Sequence, residues 1–145
     1  MLNIFLCACG MFTWSFVEYF LHRFAFHAED TWMKVIKPNG ACYTFHFMIH
    51  GIHHAFPQDE LRLVFPPVAS YIIYVFGFWI PFKFLIPIHF RYGYLIGIVI
   101  GYEMYDVLHY AFHHSNPAEG SYMKEMKTYH MQHHYKEGLI GFGVS

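Results

Sequence analysis

Residues 2–21 read LNIFLCACGMFTWSFVEYFL. The stretch holds no Lys or Arg, and its one acid, Glu18, sits near the end. A bilayer core about 30 Å thick is crossed by about 20 apolar residues of helix. The segment lacks the basic start and small-residue cleavage site of a signal peptide. Two further stretches have the same length. Residues 63–82 (LVFPPVASYIIYVFGFWIPF) carry no charge, and residues 92–112 (YGYLIGIVIGYEMYDVLHYAF) carry Glu103 and Asp106 in their second half. Three spans are therefore expected, and the predicted fold class is all-α, an integral membrane helical bundle.

Composition agrees with that reading. The 145 residues are 56% hydrophobic, 22% aromatic and 13% charged, against roughly 25% charged in soluble domains. Disordered chains are rich in charge and poor in aromatics, so disorder is excluded. The net charge is -1, with no basic run to neutralise phosphates, and no nucleic-acid partner is expected. Cys7, Cys9 and Cys42 form neither a CxxC motif nor an even framework, which argues against disulfide scaffolding and a thiolate zinc site. Cys7 and Cys9 read as small buried hydrophobes.

Polar stretches separate the spans. Pro38-Asn39-Gly40 is a turn signal. Pro66, Pro67, Pro81 and Pro87 bracket the second span and should bend or end its helices. Residues 121–136 are predicted to form a short amphipathic helix with Met123, Met126, His130 and His133/His134 on its inner stripe.

Thirteen residues are histidine, and they are clustered. His50-Gly51-Ile52-His53-His54 is HxxHH, and His130-Met131-Gln132-His133-His134 repeats it. His109 and His113 are four apart at the end of the third span, and His22 and His27 are five apart at the end of the first. Residues i, i+3 and i+4 of a helix share a face. Adjacent residues diverge by about 100°, so one HxxHH cluster can serve two neighbouring metals. A five-residue gap turns about 140° on an ideal α-helix. By that geometry His22 and His27 ligate different metals, or the helix ends between them. Glu103 and Asp106 lie on a stripe with His109 and His113. Ionisable groups within a span are costly and usually face a functional interior. They suit acceptors for the ring N–H of metal-bound His, as does Glu18, four residues before His22.

A lone His in a core is more often a hydrogen-bonded residue than a ligand, which suits His46, His89 and His114. A pH-sensing cluster and a metal-transport site remain rivals for the other ten. Two crossings lie between His54 and His109, so all four clusters can meet on one membrane face as a histidine-rich helical cap. Arg23, Lys34, Lys37, Arg62, Lys124, Lys127 and Lys136 would share that face, against Lys83 and Arg91 on the other. The excess marks the cap side as cytosolic.

Several stretches resemble one family. They are Glu18-Tyr19-Phe20-Leu21-His22-Arg23-Phe24-Ala25-Phe26-His27, His46-Phe47-Met48-Ile49-His50-Gly51-Ile52-His53-His54, and Arg62-Leu63-Val64-Phe65-Pro66-Pro67. Tyr105-Asp106-Val107-Leu108-His109-Tyr110, Gly120-Ser121-Tyr122 and Gly141-Phe142-Gly143-Val144-Ser145 belong with them. Together they resemble the fatty acid 2-hydroxylase branch of the fatty acid hydroxylase/sterol desaturase superfamily.

The resemblance implies a dinuclear metal centre held by His22, His27, His50, His53, His54, His109, His113, His130, His133 and His134. Glu18, Glu103 and Asp106 would form its outer shell. It implies an oxygen-dependent monooxygenase of the endoplasmic reticulum membrane, multi-pass, with its active site facing the cytosol. The reaction would hydroxylate the 2-position of long acyl chains, as free fatty acid or ceramide, for 2-hydroxy sphingolipid synthesis. Electrons would come from NAD(P)H through a reductase and a cytochrome b5-type donor acting in trans. Residues 1–145 would be the catalytic domain, truncated at both ends and without a cytochrome-b5-like domain.

Attack on an unactivated C–H bond requires a metal that changes oxidation state. Imidazole suits iron, zinc lacks redox chemistry, and no cysteine set is present for iron–sulfur or haem–thiolate ligation. Two iron ions are therefore expected, with zinc as a stand-in in a structure. The competing functions are a sterol or carotenoid oxidase of the same superfamily, and a non-catalytic metal-binding or transport membrane protein.

Overall fold

The computed structural model describes residues 1–144; Ser145, the last residue of the Gly-Phe-Gly-Val-Ser stretch, lies outside the described residues. Among the described residues the chain is helical, with no strand. Five long helical segments carry the architecture. Helix α1 is Leu2–Phe26, α2 covers residues 40–55, α3 covers residues 67–85, α4 is Ile88–His114, and α5 is Tyr122–Tyr135. Short turns at Ala28–Asp30, Met33–Ile36 and Glu60–Arg62 link them.

Local chemistry sets the boundaries. Asn39 caps α2 by accepting the Cys42 N–H at 3.0 Å, so the predicted turn is also a helix start. Pro66 and Pro67 open α3, and Pro87 is the cap of α4, positions where the missing N–H costs nothing. Arg91 ties the α3–α4 corner by donating to the carbonyls of Lys83 and Ile86, each at 2.9 Å. Ser121 caps α5 by accepting the Lys124 N–H at 3.2 Å.

The main packing is α4 along α1, made by glycine. Gly93, Gly97 and Gly101 are spaced four apart on α4 and so form one stripe. A Cβ at Gly97 would stand 2.0 Å from the Cys7 carbonyl oxygen, and one at Gly101 would stand 2.6 Å from the Trp14 Cβ. Gly10 of α1 answers them, since its Cβ would lie 2.2 Å from the Tyr94 carbonyl oxygen. Small residues at such a crossing let backbones approach closely, as membrane helices require. Cys7 and Cys9 are half-buried rather than buried, because the glycine contact uses the backbone on that face. Trp14, Phe78, Leu95, Ile98, Tyr105 and Phe112 form the core, with Met123 and Met126 of α5 packed against it.

Two helices are long and apolar enough to cross a membrane, Leu2–Phe26 and Glu60–Leu85. Their large apolar side chains point outward, Phe12, Phe16 and Phe20 from the first and Tyr71, Ile72 and Phe76 from the second. The third expected span, 92–112, lies inside α4. That helix is 27 residues long, roughly 40 Å. It is long enough to cross, but it is not among the two apolar enough to count. Its second half carries Glu103, Asp106, His109, His113 and His114.

Candidate metal centre

The helix ends carry the histidines to one place. The last turns of α1 are π-helical over Leu21–Phe26, and the His27 N–H donates to the His22 carbonyl at 3.0 Å. That i→i+5 bond is the π pattern. It winds the backbone less per residue than an α-helix and puts positions five apart on one side. His22 and His27 therefore face the same centre, which the ideal α-helical angle does not allow. A second π turn, Phe47–Gly51, precedes His53 and His54 on α2.

Ten ring nitrogens assemble into two groups. His22, His27, His50, His54 and His133 form one group, and His53, His109, His113, His130 and His134 form the other; within each, the nitrogens all lie within 4.8 Å of one another. The adjacent pairs divide as the helical angle demands. His53 and His54 fall in different groups, as do His133 and His134. Eight of the thirteen histidines are buried, every one of them in this set, and its other two, His54 and His134, are half-buried. His46 stands outside, held by Glu29 at 2.8 Å, and His89 and His114 are exposed.

The contacts within each group are Nε2 to Nε2. In the first, His22 meets His50 at 3.2 Å, His50 meets His54 at 2.9 Å, and His27 meets His133 at 3.0 Å. In the second, His113 meets His130 at 2.9 Å, and His134 meets both His130 and His53 at 3.1 Å. The protonation of two rings follows from their other nitrogen. His22 Nδ1 donates to the Phe142 carbonyl and His133 Nδ1 to the Ile140 carbonyl, each at 2.7 Å. A neutral imidazole has one N–H, so these two rings turn bare Nε2 lone pairs inward. Bare lone pairs turned toward one centre are the form in which imidazole takes a metal ion. A metal with nitrogen ligands at about 2.1 Å and right-angle geometry sets neighbouring nitrogens about 3.0 Å apart. The spacing and the all-imidazole donor set fit a pair of metal ions.

Burial keeps the rings uncharged. Desolvation first, and then the charge on His133, lowers His53 to about 4 and His54 to about 2. Desolvation also lowers His50, His130, His133 and His134. Neutral imidazole is the ligating form, so the site is ready for metal at neutral pH.

The three carboxylates separate. Glu18 is buried, and its Oε1 accepts the Val144 backbone N–H; the His22 ring bonds instead to the Phe142 carbonyl. Asp106 is half-buried and Glu103 is exposed at the wall of an apolar cavity. The backbone carbonyls of Ile140 and Phe142 are functional groups that residue identity does not reveal.

That cavity has a volume of about 270 Å³ and is lined by Trp14, Leu21, Ile73, Phe78, Ile98 and Val99, among others. Phe26 and Tyr105 belong both to its wall and to the cluster. Phe26 stacks on His50 with centroids 5.0 Å apart, and Tyr105 stacks on His109 at 5.7 Å. Ser70 and Tyr102, hydrogen-bonded at 2.8 Å, also face the cavity.

Comparison with known proteins converges on one family. The profile of the fatty acid hydroxylase family matches residues 7–145. The dihydroceramide fatty acyl 2-hydroxylase of Arabidopsis thaliana is 42% identical over 136 residues, covering 94% of this chain and 54% of that protein. The ceramide very long chain fatty acid hydroxylase of Saccharomyces cerevisiae is 38% identical over 141 residues, covering 97% of this chain and 35% of that protein. The fatty acid 2-hydroxylase of Homo sapiens is 39% identical, with 94% and 35% covered. A solved structure of full-length Scs7p, in which only the hydroxylase domain is visible, superposes with a TM-score of 0.87 at 38% identity. It covers 99% of this chain and 52% of that one. The chain spans about a third to a half of the length of the curated relatives it matches.

Proposed function

This chain belongs to the fatty acid hydroxylase family, and we propose that it hydroxylates the 2-position of long acyl chains at a centre of two iron ions. The observation that carries the reading is the convergence of ten ring nitrogens into two groups of five beside an apolar cavity. His22, His27, His50, His54 and His133 would hold one ion, and His53, His109, His113, His130 and His134 the other. Zinc would fit the same donors but lacks the redox chemistry that the reaction needs. When bound, the ions supply activation of molecular oxygen toward a C–H bond, with electrons delivered from NAD(P)H through a cytochrome b5-type partner and its reductase in trans.

The chain's own residues perform binding, orientation and exclusion of water. The cavity would take the acyl chain, since Trp14, Phe78, Ile98 and Val99 offer it an apolar wall. Phe26 and Tyr105, shared by wall and cluster, would set the depth at which the chain meets the centre. Carbons near the carboxyl or amide end would lie closest to the histidines, which suits attack at the 2-position. Asp106 and Glu103 would offset part of the charge of an all-imidazole centre.

The arrangement is read as a membrane bundle under a histidine-rich cap. Residues 1–145 act as the catalytic domain, and α4 crosses beside α1 through the glycine contact. An even number of crossings between α2 and the end of α4 puts the cap on one face. The excess of Lys and Arg on that side supports a cytosolic orientation, and the endoplasmic reticulum is the membrane proposed. The three relatives described above are named for acyl-chain hydroxylation, which favours this reading over a sterol or carotenoid oxidase and over metal transport.

The test is lipid profiling of cells that lack their own acyl 2-hydroxylase. Expression of this chain should raise 2-hydroxy ceramides, and the His53→Ala variant should not. Unchanged 2-hydroxy lipids in cells whose purified chain carries its metal would contradict the assignment.

A further inference from the structure

Residues 138–144 lie across one half of the centre, and their backbone touches it at alternate positions. The Ile140 carbonyl accepts from His133 Nδ1, and the Phe142 carbonyl accepts from His22 Nδ1. The Val144 N–H is taken by Glu18. Glu18 and His22 are one helical turn apart on α1, so the same helix face grips this strap twice, once as acceptor and once as donor. Gly141, at φ +72, makes the turn between the two carbonyls; a Cβ there would stand 3.1 Å from the Tyr129 carbonyl oxygen, so only glycine suits the position. The Phe142 ring sits 5.6 Å from His22, 5.4 Å from His27 and 5.5 Å from His133.

All of these contacts fall on one group. His22, His27 and His133 belong to the same five. Among the described residues, no histidine of the other five hydrogen-bonds to this strap. The two groups are thus built differently, and one depends on a backbone segment whose Val144 N–H is held by a buried carboxylate.

We propose that Glu18 is a positioning residue for one metal ion only: by fastening Val144 it holds the strap that orients His22 and His133. The inference rests on the two-ion reading above. An outer partner that fixes a ring's tautomer and direction is worth roughly 10–100-fold in metal affinity. Loss of the fastening releases two of five ligands in the first group and none in the second.

Metal content distinguishes this from a general structural role. The full chain and three variants are purified in detergent, loaded anaerobically with ferrous iron, desalted and analysed for iron per chain. Glu18→Leu removes the acceptor at similar volume. Val144→Pro removes the donor N–H and leaves Glu18 in place. Glu18→Gln keeps an acceptor oxygen. The wild-type chain and Glu18→Gln should hold two irons, and Glu18→Leu and Val144→Pro should hold one. If Glu18→Leu is not recovered folded, Val144→Pro decides. Two irons retained without the fastening, both lost together, or one lost in Glu18→Gln overturns the proposal. A wild-type chain that holds fewer than two irons overturns the two-ion reading itself.

Discussion

His53 and His54 are neighbours in the chain and serve different centres. His53 Nε2 lies 3.1 Å from His134 Nε2, whereas His54 Nε2 lies 2.9 Å from His50 Nε2. The roughly 100° between successive helical residues thus becomes the boundary between two metal positions. Each single substitution, His53→Ala or His54→Ala, should remove a ligand from a different ion. Each should weaken one ion by more than about 100-fold, the upper cost of losing even an outer partner, and each should abolish hydroxylation. Metal analysis with 2-hydroxy lipid measurement checks this; full activity in either variant contradicts it.

Acid should destabilise the metal-free protein. The ring of His53 is held down to about 4 and that of His54 to about 2, chiefly by burial. An unfolded chain protonates its histidines near 6.5. Above that pH neither state takes up a proton, and the stability is fully present. As pH falls from 6.5 toward 4, the unfolded chain binds protons that the folded rings refuse. Each such ring then costs about 1.4 kcal/mol per pH unit, and the loss from His54 continues toward pH 2. Denaturation of chelator-treated protein between pH 7.5 and 5.5 should show falling stability; a flat profile contradicts the burial of neutral rings.

Much of the centre was legible because histidine spacing reports directly on helix geometry. The two HxxHH clusters and the His109–His113 pair follow the i, i+4 rule, and adjacent rings divide as the helical angle requires. The separation of His22 and His27 did not follow, because a π turn is not written in residue identity. The strap was hidden for a related reason: its acceptors are the carbonyls of Ile140 and Phe142, which every residue possesses. The first and second spans were visible in their apolar length. The third was visible as a helix, while its polar second half makes it less apolar than the other two.

The glycine contact was present in the sequence as Gly93, Gly97 and Gly101 but acquires meaning from its partner. Gly97→Ala should destabilise the protein by about 1–3 kcal/mol, the usual cost of overpacking, since its Cβ would lie 2.0 Å from the Cys7 carbonyl oxygen. Gly40→Ala, where a Cβ meets nothing within 4 Å, is the control. Thermal unfolding in detergent compares them, and equal midpoints would contradict close packing of α1 on α4.

The cavity should set the length of chain that is processed. Val99 lines it and is not a ligand. Val99→Phe narrows it, so turnover of the longest acyl chains should fall relative to shorter ones while metal content is unchanged. Competition between acyl chains of two lengths reads that ratio, and an unchanged ratio contradicts this use of the cavity.

The central claim is that two ions sit in a shell of imidazole. X-ray absorption at the iron edge, with metal analysis on the same membrane-purified sample, tests it most directly. Two irons per chain, with about five nitrogen neighbours each, is the result this account predicts. One iron or none, or a first shell containing sulfur, would contradict it.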